Sequence, residues 1–246
     1  MRNLIFTVAY DGTNYYGFQY QPKLPTIQGE LEGAFEELVD HPATVIGASR
    51  TDAGVHARGQ IVKVRADTTI PTANFPQALN SELPDDIVVK AAQEVKPTFD
   101  PRSAAHKKIY SYQIYSSRQF SPFLRNYAYQ IRYSPDLEAM EEAAKHLIGC
   151  HDFSSFRASG CIFEDPVREI LEIEILKVKK NLTAILVTGT SFLYNMVRII
   201  VGTLLKVGEG ELPPKKVKEI LKAQDRRRAG PTVLAEGLCL ERIKYL

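Results

Sequence analysis

Cysteine is scarce in this chain: Cys150, Cys161 and Cys239 are the three among 246 residues. Three is an odd number, and the chain has no C-x-x-C spacing and no clustered histidine pair. A disulfide scaffold and a structural zinc site are thereby excluded as organising principles, and reduced thiols in a cytoplasmic protein are the expectation. Long apolar runs are also missing. The most apolar stretch, residues 191–207, carries Asn195, Arg198 and Lys206 and is too short and too polar to cross a bilayer. The opening segment to Asp11 has a basic residue and a short apolar run but no small-residue cleavage site, so it reads as a strand and not as a signal peptide. Neither G-x-G-x-x-G nor G-x-x-x-x-G-K-[ST] occurs, which leaves dinucleotide and P-loop chemistry without support. A strong charge of either sign is absent too. A formal net charge of +2 does not by itself identify a polyanionic partner, because phosphate neutralisation depends on local clusters.

What is present describes an ordinary globular protein. With 44% hydrophobic and 24% charged residues there is chain enough for one large domain or two smaller ones. Strands and helices interleave. Residues 4–10 alternate as a strand, and Thr26 is placed to cap a helix in which Ile27, Leu31, Phe35 and Leu38 recur at helical spacing. A strand at 61–64, a short helix within 74–84 and a strand at 87–95 complete a first half ending near Arg102. The second half opens with an alternating strand, 108–115, in which Tyr110 and Tyr112 share a face. Ser134 is expected to cap the next helix, with Pro135 in its first turn and Leu137, Met140, Ala144 and Leu147 along one side. A hairpin of 170–178 and 183–188 turns at Lys180-Asn181, an apolar helix runs from Phe192 to Gly208 with Arg198 off its stripe, and 237–244 is a last strand.

The order of elements is similar in the two halves, although no residue-level repeat is visible. The fold expected is therefore α+β, with two related subdomains, residues 1–102 and 103–246. Mixed, largely antiparallel sheets flanked by helices would pack as one body, with an active-site cleft between the subdomains.

The run 47–58, Gly-Ala-Ser-Arg-Thr-Asp-Ala-Gly-Val-His-Ala-Arg, has almost no large apolar side chain and stands directly before an apolar strand pattern. It is built to present polar groups. Arg50 and Asp52 are two apart, so in extended backbone they leave one face, and a carboxylate beside a guanidinium stays ionised and can serve as a nucleophile. A lone R-x-D is also common in surface turns. Residues 213–230 hold Lys215, Lys216, Lys218, Lys222, Arg226, Arg227 and Arg228 against Glu219 and Asp225. This reads as a basic helix with Val217, Ile220 and Leu221 as its packed face, either solvated or in contact with RNA. The aromatic and polar stretch 10–22 is richer than a linker needs. His151-Asp152 is a weak metal-dyad signal and a better capping pair.

Taken together, these segments resemble the tRNA pseudouridine synthase A family across essentially the full chain. The resemblance rests on residues 49–57 and on Tyr10-Asp11-Gly12-Thr13 with 19–22. Further matches are Leu79-Asn80 with Leu83-Pro84, Tyr110-Ser111-Tyr112, 149–156, Ser191-Phe192-Leu193 with Met196-Val197-Arg198, and Gly237-Leu238-Cys239-Leu240, all in order. It implies isomerisation of uridine to pseudouridine at positions 38, 39 and 40 of the tRNA anticodon arm, with no cofactor and no metal. Asp52 falls on the nucleophile, Arg50 and Arg198 on its charged partners, Tyr110 on the active-site tyrosine and Leu238 on the apolar residue across the base. Arg58 joins Tyr110 and Leu238 as a substrate-binding residue, and a homodimer holding tRNA away from any membrane is implied. The chain departs from the family pattern at Phe18, where Trp is usual, at Lys108, where Arg is common, and at Val233-Leu234, where Ala-Pro is common. Two other classes are a non-catalytic RNA-binding protein on the same scaffold and a hydrolase using Asp52, the latter needing a metal and acidic ligands that the motif lacks.

Overall fold

A computed structural model describes residues 1–158 and 165–245, so Cys161 lies outside the described residues. In chain order the strands are β1 (Arg2–Tyr10), β2 (Val45–Gly47), β3 (His56–Ala66), β4 (Ile87–Glu94), β5 (Ala105–Ser116), β6 (Tyr129–Ile131), β7 (Gly149–Asp152), β8 (Val167–Lys179), β9 (Leu182–Gly189) and β10 (Leu238–Tyr245). The α-helices are α1 (Ile27–Val39), α2 (Phe75–Asn80), α3 (Leu137–Ala144), α4 (Met196–Gly208) and α5 (Lys216–Ala223). The fold is α+β, as expected, and divides into two compact units: Met1–His106 with Cys239–Leu246, and Lys107–Leu238. This is not a simple division at residue 102.

In the first unit the strand order is β4-β1-β3-β10, with β2 also on β3. β1 is antiparallel to β3 and β4, whereas β10 joins β3 in parallel, setting Cys239 opposite His56 and Leu240 opposite Ala57. Alternation in β1 buries Leu4, Phe6, Val8 and Tyr10 on one face, and the register sets them against Val64, Val62, Gln60 and Ala57. Thr26 caps α1 as its sequence suggests, its hydroxyl accepting from the Gly29 N–H at 3.2 Å. Ile27, Leu31 and Phe35 then face inward. Phe6, Phe35 and Phe75 interlock with ring centroids 5.0, 5.5 and 6.5 Å apart, a core that joins α1 and α2 to the sheet.

In the second unit β5-β9-β8-β7 is antiparallel throughout, and β6 lies parallel to β5. α4 buries Met196, Ile199, Ile200 and Leu204, but it begins at Met196, so Phe192 lies in the preceding loop. Asn195, left-handed at φ 58°, separates the two. α3 is capped by Asp136, whose carboxylate accepts from the Ala139 N–H at 3.0 Å, and not by Ser134. A proline pushes the residue before it toward extended backbone, and the carboxylate two positions later takes the cap. The basic stretch is two elements: α5 packs Val217, Ile220 and Leu221 as expected, then left-handed Gln224 ends it and Arg226–Arg228 form a separate 3₁₀ turn. Gly202 of α4 meets the backbone of Pro231 so closely that a Cβ would fall 2.0 Å from its carbonyl oxygen. Thr203 Oγ accepts from the Gly230 N–H at 2.8 Å and ties the same segment down. Asp152 accepts from the Ser154 N–H at 2.8 Å in a local Asx turn, and the cap position of the following 3₁₀ turn is Phe153.

Two expectations follow from this packing. Phe35→Ala should lower stability by about 3–5 kcal/mol, read as a fall in the urea midpoint. Burial pushes the Cys239 thiol from 9.0 up to about 12, and burial followed by Glu209 pushes the Tyr133 phenol from 10.0 up to about 12. Tyr15, Tyr112 and Tyr245 move the same way, burial being the largest cause in each. The fold favours the neutral form of each group, so the stability they contribute is complete below the unfolded values and is lost as pH rises from about 9 toward 12. A thermal midpoint flat from pH 7 to 9 and falling above it is expected, with a shallower early decline in Cys239→Ala. A midpoint flat to pH 11 would contradict this account.

Candidate active site

The polar run becomes a turn leading into a strand. Asp52 opens the turn, its carbonyl accepting from the Val55 N–H at 3.1 Å, and Gly54 takes φ +76° at the third position, where a tight turn requires a left-handed residue. β3 starts one residue after the turn, so the half-buried Asp52 side chain stands at the mouth of a rigid strand.

The aromatic loop 10–22 supports this turn by backbone contact. Phe18 N–H donates to the Thr51 carbonyl at 2.9 Å and Gly54 N–H to that of Tyr15 at 3.3 Å. Gly17, at φ +96°, leaves room where a Cβ would be 2.8 Å from the Thr51 oxygen; at Gly12 a Cβ would be 2.1 Å from that of Val55. Phe18, where the family usually carries Trp, is buried with its ring over Gly47, so this departure is absorbed by packing.

A buried polar clamp completes the support. Gln60 is fully buried; its amide accepts from the Ser49 N–H at 3.2 Å and donates to the Ser49 carbonyl at 2.7 Å and to the Tyr10 hydroxyl at 3.3 Å. Tyr10 in turn shares a 2.8 Å hydrogen bond with the Thr51 hydroxyl. The residues on either side of Arg50 are thus fixed from the interior, which aims the backbone at Asp52. At the start of β3, Gly12 N–H donates to His56 Nδ1 at 3.1 Å, with an Asp11 carboxylate oxygen 3.1 Å from the same nitrogen.

Arg50 does not pair with Asp52. Its side chain is exposed, and it forms no ion pair with any described residue. Spacing fixes a side of the backbone, but an exposed pair contributes too little to hold a long, flexible side chain in one geometry. Arg58 is exposed too, and its guanidinium donates to the Glu241 carboxylate of β10 at 2.8 Å.

Tyr110, Arg198 and Leu238 lie in the second unit. Tyr110 sits on β5 opposite Val187 with its ring edge-on to Phe192, centroids 5.3 Å apart and planes at 86°. Gly189 makes space for that partner, since a Cβ there would be 2.9 Å from the Phe192 ring. The Arg198 guanidinium is oriented by two acceptors, the Val233 carbonyl at 2.7 Å from Nε and the Asn195 side chain at 2.8 Å from Nη1. Residues 234–238 are held by Tyr112, whose phenol donates to the Leu234 carbonyl at 2.7 Å while its ring packs on Gly237. Leu238 follows, nearly buried at 6% exposure. Sequence reasoning passed over Gln60, Thr51 and Asn195 as functional residues. For Gln60 there was a signal: it stands where the 60, 62, 64 alternation calls for an apolar residue.

The family model described as tRNA pseudouridine synthase matches residues 7–102 and 143–246. This chain belongs to that family. A tRNA pseudouridine synthase A of Thermoanaerobacter sp. (strain X514) is 44% identical over 245 residues, covering the whole of both chains. Proteins of the same name from Clostridium acetobutylicum, 44% identical over the whole of both chains, and Moorella thermoacetica, 45% identical over 98% of this chain and 99% of its own, are equally similar. The buried clamp fixes Ser49 and Thr51, the two ends of the short segment that leads into Asp52.

The glycines offer an internal contrast. Gly33, in α1, has open space where a Cβ would be placed, so Gly33→Ala should stabilise by about 0.5–1 kcal/mol. Gly17→Ala should destabilise by about 2 kcal/mol or more, from backbone strain and the Thr51 contact. Gln60→Leu should cost about 1–3 kcal/mol by leaving both backbone groups of Ser49 unpaired. Urea unfolding of the three variants checks the signs and the order.

Proposed function

We propose that this protein converts uridine to pseudouridine at positions 38, 39 and 40 of the tRNA anticodon stem-loop, with Asp52 as the nucleophile. The observation that carries the reading is the full-length identity of about 44% to proteins named tRNA pseudouridine synthase A. The clamped turn beneath Asp52 supports it.

The reaction is an isomerisation. The bond from ribose C1′ to uracil N1 breaks, a bond from C1′ to C5 forms, C5 gives up its proton and N1 gains one. No electron is transferred and no water is consumed. An ionised carboxylate at Asp52 can add to ribose C1′ or to uracil C6, and either route achieves the exchange. Arg198, with its fork oriented by Asn195 and Val233, is the cationic member of the catalytic set. Tyr110 offers a ring to stack on the uracil and a phenol for the C5 proton; with an ordinary value near 10, a phenol positions better than it abstracts. Leu238 supplies apolar surface for the base. Arg50 and Arg58, both exposed, meet the RNA backbone.

The target base must leave its stack, at a cost of about a few kcal/mol that phosphate contacts offset. In the segment 215–228, Lys216 pairs with Glu219 and Arg227 with Asp225, whose carboxyl that guanidinium holds down at about 2. Lys215, Lys218, Lys222 and Arg228 have no ion pair among the described residues and remain available for RNA. The same reading makes the protein a cytoplasmic homodimer that acts on tRNA.

The deciding measurement is tritium release from C5-labelled uridine in an unmodified tRNA transcript, with no added metal. Wild type is expected to release tritium. Asp52→Ala and Asp52→Asn should be slower by at least about a thousandfold while still binding tRNA. Release by Asp52→Ala at the wild-type rate would overturn the assignment of the nucleophile. Binding by wild type without release would favour the RNA-binding alternative.

A further inference from the structure

The last residues of β5 lie about 20 Å along the strand from Tyr110, six residues away at the rise of an extended chain. There the second unit has a hollow of about 380 Å³, walled by the end of β5, the segment leading into α3 and the β8–β9 turn. Two backbone hydrogen bonds hold the walls in place, Ser116 N–H to the Asn181 carbonyl at 2.8 Å and Ser117 N–H to that of Ile131 at 2.9 Å.

Its charge is one-sided. Arg118, Arg132, Lys177 and Lys180 line it, and no carboxylate does. None of the four side chains has an ion pair or hydrogen bond among the described residues, and all four residues are exposed. The carboxylate next in sequence, Asp136, is occupied in capping α3. Four like charges around one concavity repel each other in the free protein, and a bound anion relieves that repulsion.

We propose that this hollow binds a backbone phosphodiester of the RNA substrate, away from the reacting uridine. The proposal rests on the function argued above and adds to it a remote anchoring point. Guanidinium and ammonium donors are the groups that hold phosphate, and contacts of this kind position an RNA without reading its sequence. At this distance from Tyr110 the contact contributes to binding and not to the chemical step.

The test is fluorescence anisotropy of a labelled, unmodified tRNA transcript with the full chain, over a series of KCl concentrations. Wild type is compared with Arg132→Gln/Lys177→Gln and Lys177→Gln/Lys180→Gln. Each double variant should bind about tenfold more weakly, with the slope of log K against log salt shallower by about 1–2. In tritium release their KM should rise while kcat at saturating tRNA stays at the wild-type value. Unchanged Kd and salt slope in both double variants would overturn the proposal. Inorganic phosphate at constant ionic strength should weaken tRNA binding by wild type more than by the double variants. If phosphate shifts the NMR signals of the hollow while the variants bind tRNA like wild type, the site serves a free anion and the RNA assignment falls. Failure of the catalytic reading would show differently, as absent tritium release by wild type with the binding contrast intact.

Discussion

A buried primary amide is costly unless each of its hydrogen-bonding groups is answered, and the first unit is arranged so that Gln60 is answered. Its partners are the two backbone groups of Ser49, the Ile61 N–H and the Tyr10 hydroxyl, which passes the constraint to Thr51. Because the amide sits on a central strand of the sheet, the rigidity of the core is delivered to an otherwise polar surface turn. A carboxylate on an unsupported loop would wander over several conformations. One that follows a chain segment fixed on the inside and braced by close-packed glycine backbone has far fewer, which is the preorganisation a positioned nucleophile needs.

The same logic recurs in the second unit with different chemistry. Arg198 projects from the first turn of α4, directly after a left-handed asparagine, and that asparagine supplies an acceptor that orients it. Tyr112 is buried so that its phenol can hold the backbone before Leu238. In both units, then, a residue of a family motif stands beside one whose hydrogen bonds fix the local geometry.

Much of this was legible from local pattern. The cap at Thr26, the apolar face of α5 and the hairpin at Lys180-Asn181 follow from short-range rules and are found where those rules place them. Polar richness without apolar content marked residues 47–58. What was not legible depends on residues far apart in the chain. Arg50 and Asp52 fit a spacing rule, but solvent competes for an exposed guanidinium and the pair does not form. Phe192 fits the apolar stripe of α4, yet the left-handed backbone of Asn195 excludes it from the helix. The hollow at the end of β5 collects cations from three separate segments, none of which is conspicuous alone.

The final strand bears on how the molecule assembles. β10 pairs in parallel with β3, so the first unit is discontinuous and the second is inserted within it. During synthesis the whole second unit emerges from the ribosome before the residues that finish the sheet behind Asp52, and it is free to fold first. The entropy of closing so long a loop grows only slowly with its length, and a folded insert shortens the effective span further. Completion of the first unit therefore waits on translation of its last strand, so a chain still being made holds Asp52 on an unfinished sheet.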